Sequence, residues 1–226
     1  MKFAVCVFPG SNCDYDTYYV LRDLLGQEVS FVDYQRRSLQ GFDCVVIPGG
    51  FSFGDYLRAG VLASKTPLGQ ALVDFAQKGG LILGICNGFQ VLTELHLLPG
   101  ALLKNRDLNF LCTDVYLRVE NNSLPFTRRF EKGEVIRLPI AHGEGRYYVP
   151  EEELRRMEER GQVVLRYCSQ EGKVEEAFNP NGSVGNVAGV CNREGNVFGL
   201  MPHPERACED LLGYRDGILL WHSLIT

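Results

Sequence analysis

The stretch Leu81-Ile82-Leu83-Gly84-Ile85-Cys86-Asn87-Gly88-Phe89-Gln90 decides the fold. Its first five residues are a continuous apolar run of buried-strand length, and residues 89–95 carry on with helical spacing. A strand running straight into a helix, with a cysteine at the corner and glycines two residues to either side, has the geometry of a nucleophile elbow with Cys in place of Ser. The requirement is steric, because a residue on so sharp a bend is held in a strained conformation and bulky neighbours would clash. Such a bend exposes the sulfur at the C-terminal edge of a sheet and at a helix N-terminus, where the dipole favours thiolate. The Asn87 N–H then points to where an oxyanion would form. The competing reading is a buried cysteine between glycines that only pack helix on strand.

Strands alternate with helices over the first hundred residues. Residues 2–8, 29–32 and 44–47 read as strands, and residues 15–25 and 68–77 as helices. This alternation predicts βαβ units and an α/β fold with a mostly parallel sheet. After Pro99-Gly100 the texture changes to strands at 113–119, 135–140, 163–167, 187–191 and 197–200. A charged helix at 151–160 and a final helix at 211–224 complete the pattern. No linker, repeat or low-complexity segment divides the 226 residues, so one domain spanning 1–226 is expected.

A cysteine nucleophile needs a base, and Met201-Pro202-His203-Pro204-Glu205 offers one after an apolar strand. In an extended segment residues two apart share a face, so Glu205 could hold one imidazole nitrogen of His203 while the other faces Cys86. By itself His203 is equally a surface histidine in a proline-rich turn. A second glycine-rich loop, Pro48-Gly49-Gly50-Phe51-Ser52-Phe53-Gly54-Asp55, ends the strand at 44–47 and could present backbone N–H groups to an oxyanion. It lacks the Lys-Ser/Thr pair of a phosphate-binding P-loop, and no G-x-G-x-x-G occurs. A plain structural turn is the alternative.

Composition removes several function classes. Lys plus Arg is 23 against 28 for Asp plus Glu, a net charge of −5 with no basic block, which argues against nucleic acid or anionic lipid as partner. The eight cysteines fall far below the ~8–10% of a disulfide scaffold. There is no C-x-x-C, and His96, His142, His203 and His222 are scattered, so no metal is expected. Cys6, Cys44 and Cys191 sit in apolar runs and read as small buried hydrophobes. The apolar run at 3–8 is too short for a secretory signal and no stretch reaches membrane-span length, so reduced thiols in the cytoplasm are the expectation.

Taken together, Gly84-x-Cys86-x-Gly88-x-Gln90, Pro48-Gly49-Gly50 and His203-x-Glu205 resemble the class I, triad-type glutamine amidotransferases. Six ordered blocks are similar, more narrowly, to the glutaminase subunits of phosphoribosylformylglycinamidine synthase. They are Phe8-Pro9-Gly10-Ser11-Asn12-Cys13-Asp14, Gly50-Phe51-Ser52-Phe53-Gly54-Asp55, Gly84-Ile85-Cys86-Asn87-Gly88-Phe89-Gln90, Ala141-His142-Gly143-Glu144-Gly145-Arg146, Asn179-Pro180-Asn181-Gly182-Ser183 and Met201-Pro202-His203-Pro204-Glu205-Arg206.

The resemblance implies an open, mostly parallel twisted sheet flanked by helices, of flavodoxin-like type. It implies that Cys86 attacks the side-chain amide of glutamine and that Gly50 and Asn87 hold the oxyanion. His203 would move the protons, Glu205 would orient it, and Gln90, Ala141 and His142 would contact the substrate. For His142 the alternative is a loop residue bracing Glu144 or Arg146. The resemblance further implies that ammonia passes to a larger synthetase subunit, PurL, with a small subunit, PurS, completing the complex. There, ATP and Mg activate formylglycinamide ribonucleotide in purine (IMP) biosynthesis, and this chain itself carries no cofactor. The loops 10–14, 142–146 and 179–183 are candidates for the partner face. The competing readings are a glutaminase serving another synthetase, a free-standing cysteine hydrolase and a catalytically silent regulatory subunit.

Overall fold

The computed structural model describes residues Met1–Ile225, which group into two compact units. The first comprises Met1–Leu98 and Asn196–Gly199, and the second Pro99–Gly195 with the C-terminal segment that begins at Leu200.

The first unit is the βαβ layer that the alternation predicts. Strands β1 (Lys2–Val7), β2 (Glu28–Asp33), β3 (Cys44–Ile47) and β4 (Leu81–Ile85) pair in the order β2-β1-β3-β4, all parallel. The late strand β11 (Val197–Leu200) hydrogen-bonds beside β4. The central strands β3 and β4 are apolar and buried along nearly their whole length, the composition of a sheet covered on both faces. Helix α1 (Asp14–Tyr19) continues as a π-helical turn at Val20–Leu24, in place of the single helix expected at 15–25. A short helix α2 (Val61–Ser64) precedes α3 (Pro67–Gln77), which is capped by Thr66 through Gly69 N–H with proline at its first position. Helix α4 (Asn87–Glu94) follows β4 directly.

In the second unit, β6 (Leu111–Val119), β7 (Val135–His142), β9 (Val163–Cys168) and β10 (Val187–Cys191) form an antiparallel arrangement in the order β10-β9-β6-β7. Two short strands, β5 (Ala101–Leu103) and β8 (Arg146–Tyr148), pair separately. Helix α5 (Glu151–Glu159) buries Leu154 and Met157 and exposes its charges. The final helix is shorter than the sequence suggests. α6 spans Ile218–Ile225, because Asp210–Leu212 form a separate 3-10 turn closed by Gly213 in the left-handed region. Gly217 then donates its N–H to the Ala207 carbonyl at 2.8 Å, holding the chain out of helix until residue 218. No described helix is long and apolar enough to cross a membrane.

Candidate active site

The bend between β4 and α4 has the strained geometry its sequence predicts. Cys86 lies at φ 52°, ψ −105°, a conformation that L-residues avoid, and it is 5% exposed. Its flanking glycines are there because nothing larger fits. A Cβ on Gly84 would lie 2.7 Å from the Gly88 carbonyl oxygen, and one on Gly88 would overlap the carbonyl of Ile47 at the end of β3. The first turn of α4 therefore rests on backbone, with Cys86 as the residue that caps it. The Gln90 N–H donates to the Cys86 carbonyl at 3.2 Å, closing that turn.

The glycine-rich loop after β3 is fixed by the loop after β1. Asn12 N–H donates to Gly49 O at 3.2 Å and Phe51 N–H to Gly10 O at 2.8 Å. These two bonds flank the antiparallel bridge between Ser11 and Gly50, so the N–H of Gly50 points away from the neighbouring loop. Gly50 needs to be glycine, since its φ is +147° and a Cβ would sit 2.6 Å from the Asn12 nitrogen. Asn87 ties this loop to the elbow. Its carbonyl accepts the Ser52 N–H at 3.1 Å, and its amide donates to Gln90 Oε1 at 2.8 Å and to Asp55 Oδ1 at 3.2 Å. Farther along the loop, Arg58 makes a two-pronged pair with Glu94 at the end of α4, each bond 2.6 Å. Gly50, Cys86, Asn87 and Gln90 thus belong to one hydrogen-bonded assembly inside the first unit.

The imidazole pair lies in the second unit. His203 Nδ1 and Glu205 Oε1 are 2.6 Å apart, both side chains buried. The pairing is local, but it is not made in the extended conformation expected from the sequence. Pro204–Arg206 is a 3-10 turn, and Glu205 reaches back to the residue that caps it. Pro204 drives this, since its fixed φ favours the first position of a helical turn. The His203 N–H donates to the Pro139 carbonyl at 2.8 Å on β7, which is the outer strand of its sheet. A proline on that strand breaks no ladder, because the edge needs no donor there.

Along β7 the buried positions alternate as Ile136, Leu138, Ile140 and His142, so His142 faces inward at the strand's end, 2% exposed. Its Nδ1 lies 3.1 Å from Asn105 Oδ1, and neither Glu144 nor Arg146 is the group it meets there. Burial, reinforced by the charge of His203, holds its imidazole down at about 4. Between about pH 6.5 and about pH 4 the unfolded chain binds a proton at this position that the folded chain refuses. Folding is undiminished by this ring above about pH 6.5 and loses up to about 3 kcal/mol by about pH 4. Urea unfolding at about pH 7 and about pH 4.5 should show a smaller acid loss for His142→Asn than for the parent chain. Equal losses would mean the ring titrates normally.

Several expectations change in the structure. The loop at 179–183 does not present its asparagines for docking. Asn181 is fully buried, donating to Gly145 O at 2.9 Å and to Tyr167 at 3.3 Å, and Asn179 donates to the Ser183 carbonyl at 2.9 Å. Polar residues in a glycine-bearing loop here brace one another. Cys6, Cys44 and Cys191 are buried as expected; burial pushes the first two thiols far up and Cys191 up to about 12. Sequence reasoning missed Asn105 and Ser52. The Ser52 hydroxyl is buried and makes no hydrogen bond among the described residues. The motif block at 50–55 was the available signal for Ser52. Asn105 stands in none.

Comparison with known proteins matches residues 1–213 to the CobB/CobQ-like glutamine amidotransferase domain. The chain is 66% identical, over the full length of both, to phosphoribosylformylglycinamidine synthase subunit PurQ of Aquifex aeolicus (strain VF5). It is 55% identical to the same subunit of Moorella thermoacetica (strain ATCC 39073 / JCM 9320), covering all of this chain and 95% of that one. Among solved structures, PurLQS from Thermotoga maritima superposes with a TM-score of 0.88 at 47% identity, covering 99% of this chain and 97% of that one. A glutamine amidotransferase of Thermotoga maritima, at 16% identity and a TM-score of 0.60, covering 99% of this chain and 90% of that one, shares the fold. A cysteine elbow between β4 and α4 and a match over nearly the whole chain lead to one assignment: the chain belongs to the CobB/CobQ-like glutamine amidotransferase family.

Proposed function

We propose that this chain is the glutaminase subunit of phosphoribosylformylglycinamidine synthase. The observation that carries the chemistry is Cys86 at φ 52° on a bend whose flanking glycines admit no larger residue. In this reading the Cys86 thiolate attacks the side-chain amide carbon of glutamine, forming a C–S bond. The backbone N–H groups of Gly50 and Asn87 receive the oxyanion, and loss of one such donor typically costs about 10²–10³ in rate. His203 gives a proton to the departing nitrogen, the C–N bond breaks and ammonia leaves. Water then attacks the thioester, passing a proton to His203, and the C–S bond breaks to release glutamate. Glu205 holds the imidazole in the tautomer and orientation this shuttle needs, and stabilises the imidazolium. In this reading Gln90, Ala141 and His142 contact the substrate.

Ammonia released into water near neutral pH becomes ammonium, which is no nucleophile, so the product has to pass within protein to its acceptor. The partners in this proposal are the synthetase subunit PurL, which uses ATP and Mg on formylglycinamide ribonucleotide, and the small subunit PurS, all in the cytoplasm. Exposed Phe51, Tyr56 and Leu57, on the loop that carries Gly50, support a protein partner on the first unit.

The test is alkylation by a diazo-ketone analogue of glutamine followed by peptide mass spectrometry. The expected adduct is on the peptide bearing Cys86 and is suppressed by glutamine. An adduct on another cysteine, or none, would overturn the assignment. His203→Ala should lose glutamine turnover by about 10³-fold or more, and Glu205→Gln by less. An equal, total loss accompanied by a lost melting transition would indicate misfolding.

A further inference from the structure

Asn105, in the connection between β5 and β6, grips the turn that follows β7. Its N–H donates to Gly143 O at 2.9 Å. Its side-chain amide donates to His142 O and to Asn109 O, both at 2.8 Å. Both amide hydrogens are therefore committed, which fixes which end of the side chain is oxygen. That oxygen accepts the Gly145 N–H at 3.0 Å, and its other neighbour is His142 Nδ1 at 3.1 Å. An acceptor facing Nδ1 requires the ring proton to be there. Gly145 lies against the same ring, so close that a Cβ would collide with it, and turning the imidazole over would put a carbon in place of Nδ1 against the Asn105 oxygen.

A neutral ring protonated at Nδ1 has a bare lone pair at Nε2. That atom is buried and makes no hydrogen bond among the described residues. Leaving a buried acceptor unpaired costs about 1–3 kcal/mol, a standing penalty that a ligand would remove. The group that removes it has to be a donor: an N–H fits, and a carboxylate oxygen is repelled.

We propose that Asn105 is a positioning residue that fixes His142 as a hydrogen-bond acceptor, through Nε2, for an N–H group of the substrate. This rests on the glutaminase reading above, in which glutamine offers two such groups, the α-ammonium and the side-chain amide. The charge that acts on the ring is that of His203; Leu111, which pairs with His142 across the strands, and Asn105 and Gly145 carry none.

Two measurements test this. In the full chain, nitrogen-15 shifts of the His142 ring at neutral pH should show a protonated Nδ1 and an unprotonated Nε2. An Nε2–H tautomer or an imidazolium overturns the proposal, and this readout needs neither substrate nor activity. In the complex reconstituted with its synthetase partner, Asn105→Asp places a carboxylate against Nδ1 and stabilises the imidazolium, in which Nε2 donates and can no longer accept. KM for glutamine should then rise about tenfold near pH 6 and return towards the parent value near pH 9, with ammonium-dependent synthesis unchanged. A loss that is uniform with pH overturns the proposal. γ-Glutamyl methyl ester, which keeps the ammonium and lacks the amide, separates the two donors. An acid-side defect that persists with the ester assigns Nε2 to the α-ammonium, and one that vanishes assigns it to the amide. If the tautomer is as stated but Cys86 is neither alkylated nor needed, the glutaminase reading fails while the ring assignment stands.

Discussion

Cys86→Ala is expected to abolish glutamine-dependent nitrogen transfer, a loss on the order of 10⁴–10⁶-fold, while the assembled complex continues to use added ammonium salt. The asymmetry follows from the division of labour proposed above. Ammonia supplied from solution bypasses the thioester, and the synthetase chemistry does not involve this sulfur. The assay compares glutamine with ammonium as donor, with ATP and formylglycinamide ribonucleotide present. Retained glutamine turnover would remove Cys86 from the mechanism. Loss of both activities would instead point to failed assembly. Alanine at position 86 keeps the unfavourable φ of 52°, whereas glycine relieves it, so Cys86→Gly should melt above Cys86→Ala. Agreement of the two variants in activity but not in melting temperature would separate chemistry from strain.

Gly88→Ala should have a large effect for a single methyl group. The added Cβ would overlap the backbone of Ile47 as well as its side chain, and backbone at the end of a central strand cannot rotate aside. The first turn of α4 has to lift off β3. We expect a cost of about 1–3 kcal/mol or more, and a fall in melting temperature of roughly 5–10 °C for a chain of this size. Because Asn87 and Cys86 occupy that same turn, a displacement of about 1 Å should lower glutaminase turnover by about 10²-fold beyond any loss of folded protein. Gly79→Ala is the comparison. Position 79 has a positive φ, of +82°, which Gly88 lacks, but open space around it, and it should cost less and leave turnover intact. Similar results at both positions would mean that the close approach of α4 to β3 is not what makes Gly88 necessary.

The parts of this site that could be read in the sequence are those whose requirements are local. Gly84, Cys86 and Gly88 announce a bend because three consecutive constraints fall within five residues. His203 and Glu205 announce a pair because a single residue separates them. Even there the conformation was misread, since Pro204 turns the segment into a 3-10 turn where alternation suggested a strand. Asn105 was invisible for the opposite reason: it acts on His142 from 37 residues away, through an amide that belongs to no motif. The strands β5 and β8 were missed because three residues carry too little periodicity to register. The same limit misled the reading of 179–183, where burial of Asn181 depends on Tyr167 and Gly145, neither of which its own neighbours specify.

The chain contains two Asn-Gly pairs, Asn87-Gly88 at the elbow and Asn181-Gly182 in the braced loop. Such pairs are where peptides age fastest, because the glycine nitrogen can attack the asparagine side chain, expel ammonia and leave an isoaspartyl kink. Cyclisation needs a side chain free to swing onto the following nitrogen. Here Asn87 is held by Ser52, Asp55 and Gln90 within the start of a helix, and Asn181 by Gly145 and Tyr167 in the interior. The folded protein thus shelters both pairs from spontaneous deamidation, and its shelf life is set by how often those regions open rather than by the lability written in the covalent chain.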